Sequence, residues 1–233
     1  MPKKARKKIS RGARGTTVVG IGASAGGLEA LRALFGAMPR VPSRLAFVVV
    51  QHLAPLHRSR LVELIATATP LPVAEVMDNT RPAAGTIYIT PPNANLAMEA
   101  GRLRLKRTQD GPKPSIDLFL RTLASDQGAN AIGIILSGTA SDGAFGMRAV
   151  KQAGGVTFAQ TPESAKYDSM PKAALQGGFV DQALRPEEMA RELMRIDAHG
   201  LSGSREVDKK SAAAGPYERV RKILEFGKEL AGI

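Results

Sequence analysis

The sequence contains no cysteine among its 233 residues. This absence excludes a disulfide framework, a zinc–thiolate site and a cysteine nucleophile. No apolar run approaches the roughly 18–20 residues that a membrane-spanning helix needs, and the N-terminus lacks the apolar centre of a signal peptide. We therefore expect a cytoplasmic protein without membrane insertion, and its hydrophobic content of 43% is sufficient for one substantial core.

Acidic residues are also missing from the first 15 residues, MPKKARKKISRGARG, although the chain as a whole has a net charge of +12. A basic run before a folded domain is more typical of a solvated, disordered arm than of a nucleic-acid reader. We predict such an arm over residues 1–15 and do not expect nucleic-acid binding, since an acidic protein partner fits the charge at least as well. The arm holds seven of the basic residues: Lys3, Lys4, Arg6, Lys7, Lys8, Arg11 and Arg14.

From Thr16 onward, short apolar runs alternate with longer amphipathic ones, a pattern typical of strands and helices around a parallel sheet. Continuous apolar strands such as AIGIILSG indicate a sheet that is covered by helices on both faces. Three extended runs over residues 71–107 interrupt the alternation and predict an antiparallel insertion, with a hairpin turn at residues 99–101. The predicted fold is α/β: a doubly wound, mainly parallel sheet with helices on both faces and an antiparallel hairpin at one edge.

The composition changes after Ile196, where the sequence becomes polar and rich in small residues. We predict a folded domain over residues 16–197, a linker over 198–215 and an amphipathic C-terminal helix over 216–233. That last helix either packs locally or begins a further part of a longer protein.

A glycine-rich turn, GIGASAGG, follows the first predicted strand and precedes a predicted helix. A P-loop is excluded because no lysine follows the glycines, and a dinucleotide site is disfavoured because the glycine spacing is off by one and the second strand ends without an acid. The turn does satisfy G-x-S-x-G, the nucleophile elbow, in the required strand–turn–helix context. Ser24 is therefore the candidate nucleophile, and a helix-capping role is its alternative.

A serine nucleophile needs a general base, and the chain offers three histidines. His52 ends the second predicted strand, so it should emerge at the same carboxyl edge of the sheet as Ser24. His57 lies in a predicted surface loop and His199 in the predicted linker. We predict that His52 is the base.

The third member of a triad must orient the imidazole and stabilise its charged form. Asp142 fits best because it follows a buried strand, lies in a glycine-flanked loop and precedes a helix; its alternative role is a helix N-cap. Three other acids belong to polar turns or exposed helix faces and fit less well: Asp78, Asp117 and Asp126.

These residues resemble the catalytic domain of chemotaxis-type protein-glutamate methylesterases, the CheB family. The resemblance covers about residues 17–196 and rests on four blocks, GIGASAGG, VVVQHL, ILSGTASDGA and SMPKAAL. It implies that Ser24 is the nucleophile, His52 the base and Asp142 the orienting acid, with no metal and no organic cofactor. It also implies that the partner is a methylated chemoreceptor, or another acidic helical signalling protein, whose glutamate γ-methyl esters and some glutamines are the substrates.

The loop before Asp142 departs from the usual family sequence, T-G-M-G, in which the methionine backbone N–H contributes to the oxyanion hole. Ser137-Gly138-Thr139-Ala140 stands there instead. Because a backbone donor survives a side-chain change, Thr139 is still expected to serve, together with Ala25. Three further residues are expected to lie beside the substrate: Gly26, Gly138 and Met170.

Typical family members carry an N-terminal receiver domain whose phosphorylation relieves inhibition. Only about 16 residues precede the first predicted strand here, so we expect no phosphorylation control within this sequence. The body looks closer to the branch fused to a receptor methyltransferase module, which makes such a module a candidate partner. Two functions stay open: an active methylesterase, and a catalytically weak binding or scaffold module of a sensory complex that retains the fold.

Overall fold

The computed structural model describes residues 15–51, 60–92, 94–107 and 115–211, with the side chains of residues 107 and 202–211 excepted. The strands are β1 (Thr17–Ala23), β2 (Leu45–Gln51), β3 (Val73–Glu75), β4 (Ile87–Ile89), β5 (Ala94–Glu99), β6 (Arg102–Arg107), β7 (Ile132–Ile135), β8 (Val156–Gln160) and β9 (Gln182–Leu184). The α-helices are α1 (Gly27–Gly36), α2 (Leu61–Ala66), α3 (Ser115–Gln127), α4 (Ala144–Gln152), α5 (Ser169–Gln176) and α6 (Pro186–Ser211).

Seven strands form one sheet in the order β3-β4-β2-β1-β7-β8-β9, and every neighbouring pair in it is parallel. From β1 the chain adds strands first on one side and then, starting with β7, on the other. The connections therefore change direction between β1 and β7. At such a switch point the loops leave opposite faces of the sheet and open a crevice at its carboxyl edge, which is where open α/β sheets bind their ligands.

Helices cover both faces of this sheet, as predicted. Buried side chains of α1, α2 and α6 form one apolar cluster with the strands, and those of α3, α4 and α5 form a second. Because each face is covered, β1 and β2 are buried along nearly their whole length, and this burial is why their sequences read as continuous apolar runs. The predicted doubly wound α/β fold is confirmed.

The predicted antiparallel hairpin is also present, but as a separate two-stranded sheet of β5 and β6. Its turn lies at Ala100 and Gly101, whose φ angles are 50° and 72°. The hairpin packs on α3, where the backbone N–H of Met98 donates to the Thr122 hydroxyl at 3.0 Å. The two earlier extended runs, β3 and β4, are not antiparallel: they join the main sheet beside β2, because short apolar runs fit a buried parallel sheet equally well.

The C-terminal part of the described chain differs from the predicted linker. Residues 198–211 belong to α6, which is broken only at Gly200 (φ 76°, ψ 166°). Their polar composition indicates exposure and does not by itself prevent a helix. Nearly all of the predicted arm and the whole predicted helix at 216–233 lie outside the described residues, so the division into domains stays a prediction. Among the helices of the described ranges, none combines the length and apolarity needed to cross a bilayer.

Candidate active site

Ser24 lies directly after β1, in a tight turn that leads into α1. The N–H of Gly27 donates to the Ser24 carbonyl at 2.9 Å, and Gly26 has a left-handed φ of 72°. A Cβ on Gly26 would lie 2.7 Å from the Ser137 hydroxyl oxygen, so the turn requires glycine there. The N-cap residue of α1 is Gly26 and not Ser24, so the alternative capping role of Ser24 is not observed in the described residues. The local structure is the strand–turn–helix that a nucleophile elbow needs.

The loop after β7 runs beside this elbow, as the switch point requires. The N–H of Ser24 donates to the Ser137 carbonyl at 3.0 Å. A Cβ on Gly138 would lie 3.0 Å from the Ser24 Cβ and 2.1 Å from the Met170 sulfur, so only glycine allows this approach. Met170 is only 1% exposed and lies against Gly138. Its side chain supports the loop from within, and the expectation that Met170 lies beside the substrate stays a prediction.

Two backbone N–H groups are available at this edge. Within the described residues, neither the N–H of Ala25 nor that of Thr139 donates a hydrogen bond. Ala25 and Gly26 are partly exposed, and Thr139 is exposed. Donors without an internal acceptor, beside a candidate nucleophile, are what an oxyanion hole requires. The next residue, Ala140, has a φ of 68°, a conformation that a non-glycine residue adopts at a cost of about 1–2 kcal/mol.

The predicted base, His52, lies outside the described residues, as does His57. The residue before it, Gln51, pairs in register with Ala23, the residue before Ser24. The Gln51 amide donates to the Ser24 carbonyl at 3.4 Å, and its buried Oε1 has no hydrogen-bond partner among the residues that the structure describes. The third histidine, His199, is exposed on α6.

Asp142 binds the N-terminus of a neighbouring helix. Its Oδ2 accepts from the N–H of Ile116 at 3.0 Å, and its Oδ1 accepts from the N–H of Asp117 at 2.9 Å. Both donors lie in the first turn of α3, so this carboxylate caps α3. It does not cap α4, the helix that it precedes in sequence, whose N-cap residue is Gly143. The predicted alternative, a capping role, is therefore present but at a different helix.

Asp117 caps α4 in return. Its Oδ1 accepts from the N–H of Gly146 at 2.7 Å. Asp117 is half-buried, so its assignment to an exposed helix face is wrong. Burial raises the pKa of Asp117 above its usual value, the N–H of Gly146 opposes this rise, and the nearby Asp142 carboxylate adds to it. The two acids hold the N-termini of α3 and α4 reciprocally, an arrangement that no spacing in the sequence indicates.

The remaining acids considered above have structural roles. Asp78 accepts from the N–H of Leu105 in the hairpin at 2.9 Å, and Asp126 accepts from the N–H of Gly101 at 3.0 Å. In the described part of the chain, no group of three or more histidine, aspartate or glutamate side chains is placed to hold a metal ion.

The chain matches proteins of one family along most of its length. The CheB methylesterase family matches residues 19–193. A protein of Syntrophus aciditrophicus named protein-glutamate methylesterase/protein-glutamine glutaminase 2 is 34% identical over 185 residues, which are 77% of this chain and 53% of that protein. An uncharacterized 104.1 kDa protein of Rhodobacter capsulatus is 37% identical over 169 residues, 69% of this chain and 17% of that protein.

A solved structure agrees with this match. The Thermotoga maritima CheB methylesterase catalytic domain superposes with a TM-score of 0.72 at 28% sequence identity, covering 78% of this chain and 98% of that domain. The chain spans about half the length of the methylesterase relatives that it matches. Because the family match, the relatives and the fold coincide over the same region, this chain belongs to the CheB methylesterase family.

Proposed function

We propose that this chain is a serine hydrolase that demethylates glutamate γ-methyl esters on chemoreceptor-type signalling proteins, in chemotaxis or a related sensory adaptation. The observation that carries the proposal is the nucleophile elbow at the switch point of the sheet. There Ser24 adjoins two backbone N–H groups that have no acceptor in the described part of the chain. Relatives named protein-glutamate methylesterase/protein-glutamine glutaminase support this substrate class. Their names also support deamidation of glutamine as a second activity of the same site.

In the proposed reaction, the Ser24 hydroxyl attacks the ester carbonyl while His52 accepts its proton. His52 then gives the proton to the leaving methoxy oxygen as its bond to the carbonyl carbon breaks, which releases methanol; with glutamine the leaving amide nitrogen takes the proton and departs as ammonia. The N–H groups of Ala25 and Thr139 stabilise the oxyanion of each tetrahedral intermediate. Water hydrolyses the acyl-enzyme by the reverse proton transfers and restores Ser24.

Asp142 is the proposed orienting acid. Its capping bonds to α3 fix the plane of its carboxylate, because each oxygen already accepts one backbone N–H. A carboxylate has about four acceptor sites, so the two capping bonds do not prevent an imidazole N–H from donating to the same carboxylate. Capping and orienting are therefore compatible roles for this residue.

The proposed partner is the methylated cytoplasmic helix of a chemoreceptor, or another acidic helical signalling protein. A receptor methyltransferase module is a further proposed partner. The alternative function is a catalytically weak binding or scaffold module, and the observation that favours it is the strained Ala140 beside the oxyanion donor. The two functions differ in one measurable product, methanol.

The test uses the purified chain and a helical peptide that carries glutamate γ-methyl ester, with methanol release as the readout. We expect the wild type to release methanol, and we expect Ser24→Ala and His52→Ala each to lower the rate by more than about 10³-fold. Ser141→Ala is the matched control, because Ser141 is an exposed serine in the neighbouring loop. Its rate should equal that of the wild type. A wild type that binds the peptide without releasing methanol would establish the scaffold function instead.

A further inference from the structure

Ser137 is a fully buried serine, 0% exposed, at the carboxyl end of β7. Its hydroxyl donates to the Ala25 carbonyl at 2.9 Å and accepts from the N–H of Tyr167 at 3.0 Å. The Tyr167 carbonyl lies 3.2 Å away as a second acceptor. One hydroxyl thus joins the elbow after β1 to the segment between β8 and α5. Composition and motif spacing did not single out Ser137, because a serine at the end of a strand is common.

The backbone of Ser137 makes a second connection to the same elbow. Its carbonyl accepts from the N–H of Ser24 at 3.0 Å. Ser137 therefore holds the elbow at the N–H of Ser24 and again at the carbonyl of Ala25. The peptide bond between Ser24 and Ala25 lies between these two anchor points. It follows the Cα that bears the Ser24 side chain, and it contains the N–H of Ala25. These are the proposed nucleophile and one of the proposed oxyanion donors.

Ser137 is itself held in place from the far side. Its N–H donates to the side-chain oxygen of Gln160 at 2.9 Å, and the Gln160 amide donates to the Ser164 carbonyl at 2.9 Å. Gln160 is 2% exposed, so this chain of hydrogen bonds is shielded from water. Buried networks in which every member is bonded are rigid, because any rearrangement would leave a polar group without a partner.

We propose that Ser137 is a positioning residue for the hydrolase reaction: its hydroxyl fixes the Ser24–Ala25 peptide so that nucleophile and oxyanion donor keep their reactive arrangement. This inference rests on the proposed function. Ser137 acts through Ser24 and Ala25 and does not contact the substrate, since it is fully buried. A misplacement of about 1 Å at reacting groups lowers a rate by about 10²-fold. Loss of the hydroxyl should therefore lower kcat much more than it changes KM.

A matched control exists at the other end of the sheet. Thr157 is also 0% exposed, and its hydroxyl donates to the Phe179 carbonyl at 2.7 Å and accepts from the N–H of Asp181 at 3.0 Å. It lies near the amino end of β8, whereas Gln160 lies at the carboxyl end, where it accepts from the N–H of Ser137. Thr157→Val removes an equally buried hydroxyl at a similar cost in stability, but away from Ser24.

The experiment compares Ser137→Ala, Ser137→Thr, Ser137→Cys and Thr157→Val in the full chain. Two readouts are measured: kcat and KM on p-nitrophenyl acetate, and the rate at which a fluorophosphonate probe labels Ser24, located by peptide mass. Thermal unfolding shows that each variant is folded at the assay temperature. We expect Ser137→Ala to lose about 10²-fold in kcat and in labelling rate with KM nearly unchanged. Ser137→Thr, which keeps the hydroxyl, should recover most of both rates, and Thr157→Val should keep wild-type rates.

The proposal is overturned if folded Ser137→Ala reacts like the wild type, or if Thr157→Val slows both readouts equally. Should Ser137→Ala fail to fold, Ser137→Cys decides, because a thiol is a weak donor of nearly the right size and should give an intermediate rate. A wild type that is labelled at Ser24 but releases no methanol from the methylated peptide would contradict the proposed substrate and leave the role of Ser137 supported. A wild type in which Ser24 does not react with the probe would overturn both.

Discussion

Asp197 offers a direct test of how the C-terminal helix is fixed to the sheet. It lies in α6, and its side chain is 0% exposed. The carboxylate accepts from the N–H of Ser43 at 2.9 Å and from the N–H of Arg44 at 2.7 Å, and it pairs with Arg40 at 2.9 Å. These donors belong to the segment between α1 and β2. One buried acid therefore ties α6 to the start of β2.

The size of the effect follows from these contacts. Asp197→Ala would leave two backbone N–H groups without their acceptor, at about 1–3 kcal/mol each. The pair with Arg40 adds at most about 1 kcal/mol, because Arg40 is 49% exposed. We expect the free energy of unfolding to fall by about 3–5 kcal/mol, which in a domain of this size lowers the melting temperature by roughly 6–20 °C. Denaturant unfolding followed by circular dichroism measures the change.

The same residue predicts a pH dependence. Burial alone would raise the pKa of Asp197, but the N–H groups of Ser43 and Arg44 and the Arg40 guanidinium outweigh it and lower this pKa below its usual value. A lowered pKa means that the contribution of Asp197 to stability is complete above its unfolded-state pKa of about 3.9 and is lost as the pH falls through the folded-state value. The stability difference between wild type and Asp197→Asn should therefore shrink below about pH 4. A difference that grows on acidification, or Asp197→Ala as stable as the wild type, would refute this assignment.

Two further predictions concern the loop after β7. Asp142→Asn should slow hydrolysis by up to about 10⁴-fold, because the imidazole of His52 would lose its orienting acid. It should also lower the free energy of unfolding by about 1 kcal/mol, since the amide caps α3 less well. Wild-type turnover with reduced stability would show that Asp142 is only a helix cap. Ala140→Gly should stabilise the chain by about 1 kcal/mol, because φ at this position is 68° and glycine adopts it without strain; unchanged or lower stability in thermal unfolding would contradict the left-handed conformation.

The sequence predicted the sheet well where its physical signal is local. A continuous apolar run such as β2 and an amphipathic run such as α3 can be recognised from the spacing of their apolar residues. The elbow can be recognised from the spacing of its glycines around Ser24. Which strand a given strand pairs with is not a local property. The prediction of an antiparallel insertion was therefore wrong for the short runs that form β3 and β4. Their parallel pairing depends on the neighbouring strands, β2 for β4 and β4 for β3, and not on their own residues alone.

The candidate site shows the same limit. Ser24 and the strand end before His52 lie side by side as predicted, because parallel strands end at one edge. The contacts of Asp142 and Asp117 with each other's helices could not be predicted, since each joins residues that are distant in sequence. The burial of Met170 could not be predicted for a related reason: a motif identifies a residue but does not say how far its side chain is buried.

The hydrogen bonds between the elbow and Ser137 also constrain the order in which the protein folds. The bond from Ser137 to Ala25 joins residues separated by 112 positions in the chain. Contacts of such long range form late, because the intervening chain must lose its conformational freedom first. During synthesis, α1 and β2 emerge well before β7, so Ser24 enters its turn with no partner for its N–H. Reactive geometry at Ser24 is then acquired only when β7 docks beside β1, and a nascent chain that lacks β7 should carry the elbow sequence without an organised nucleophile.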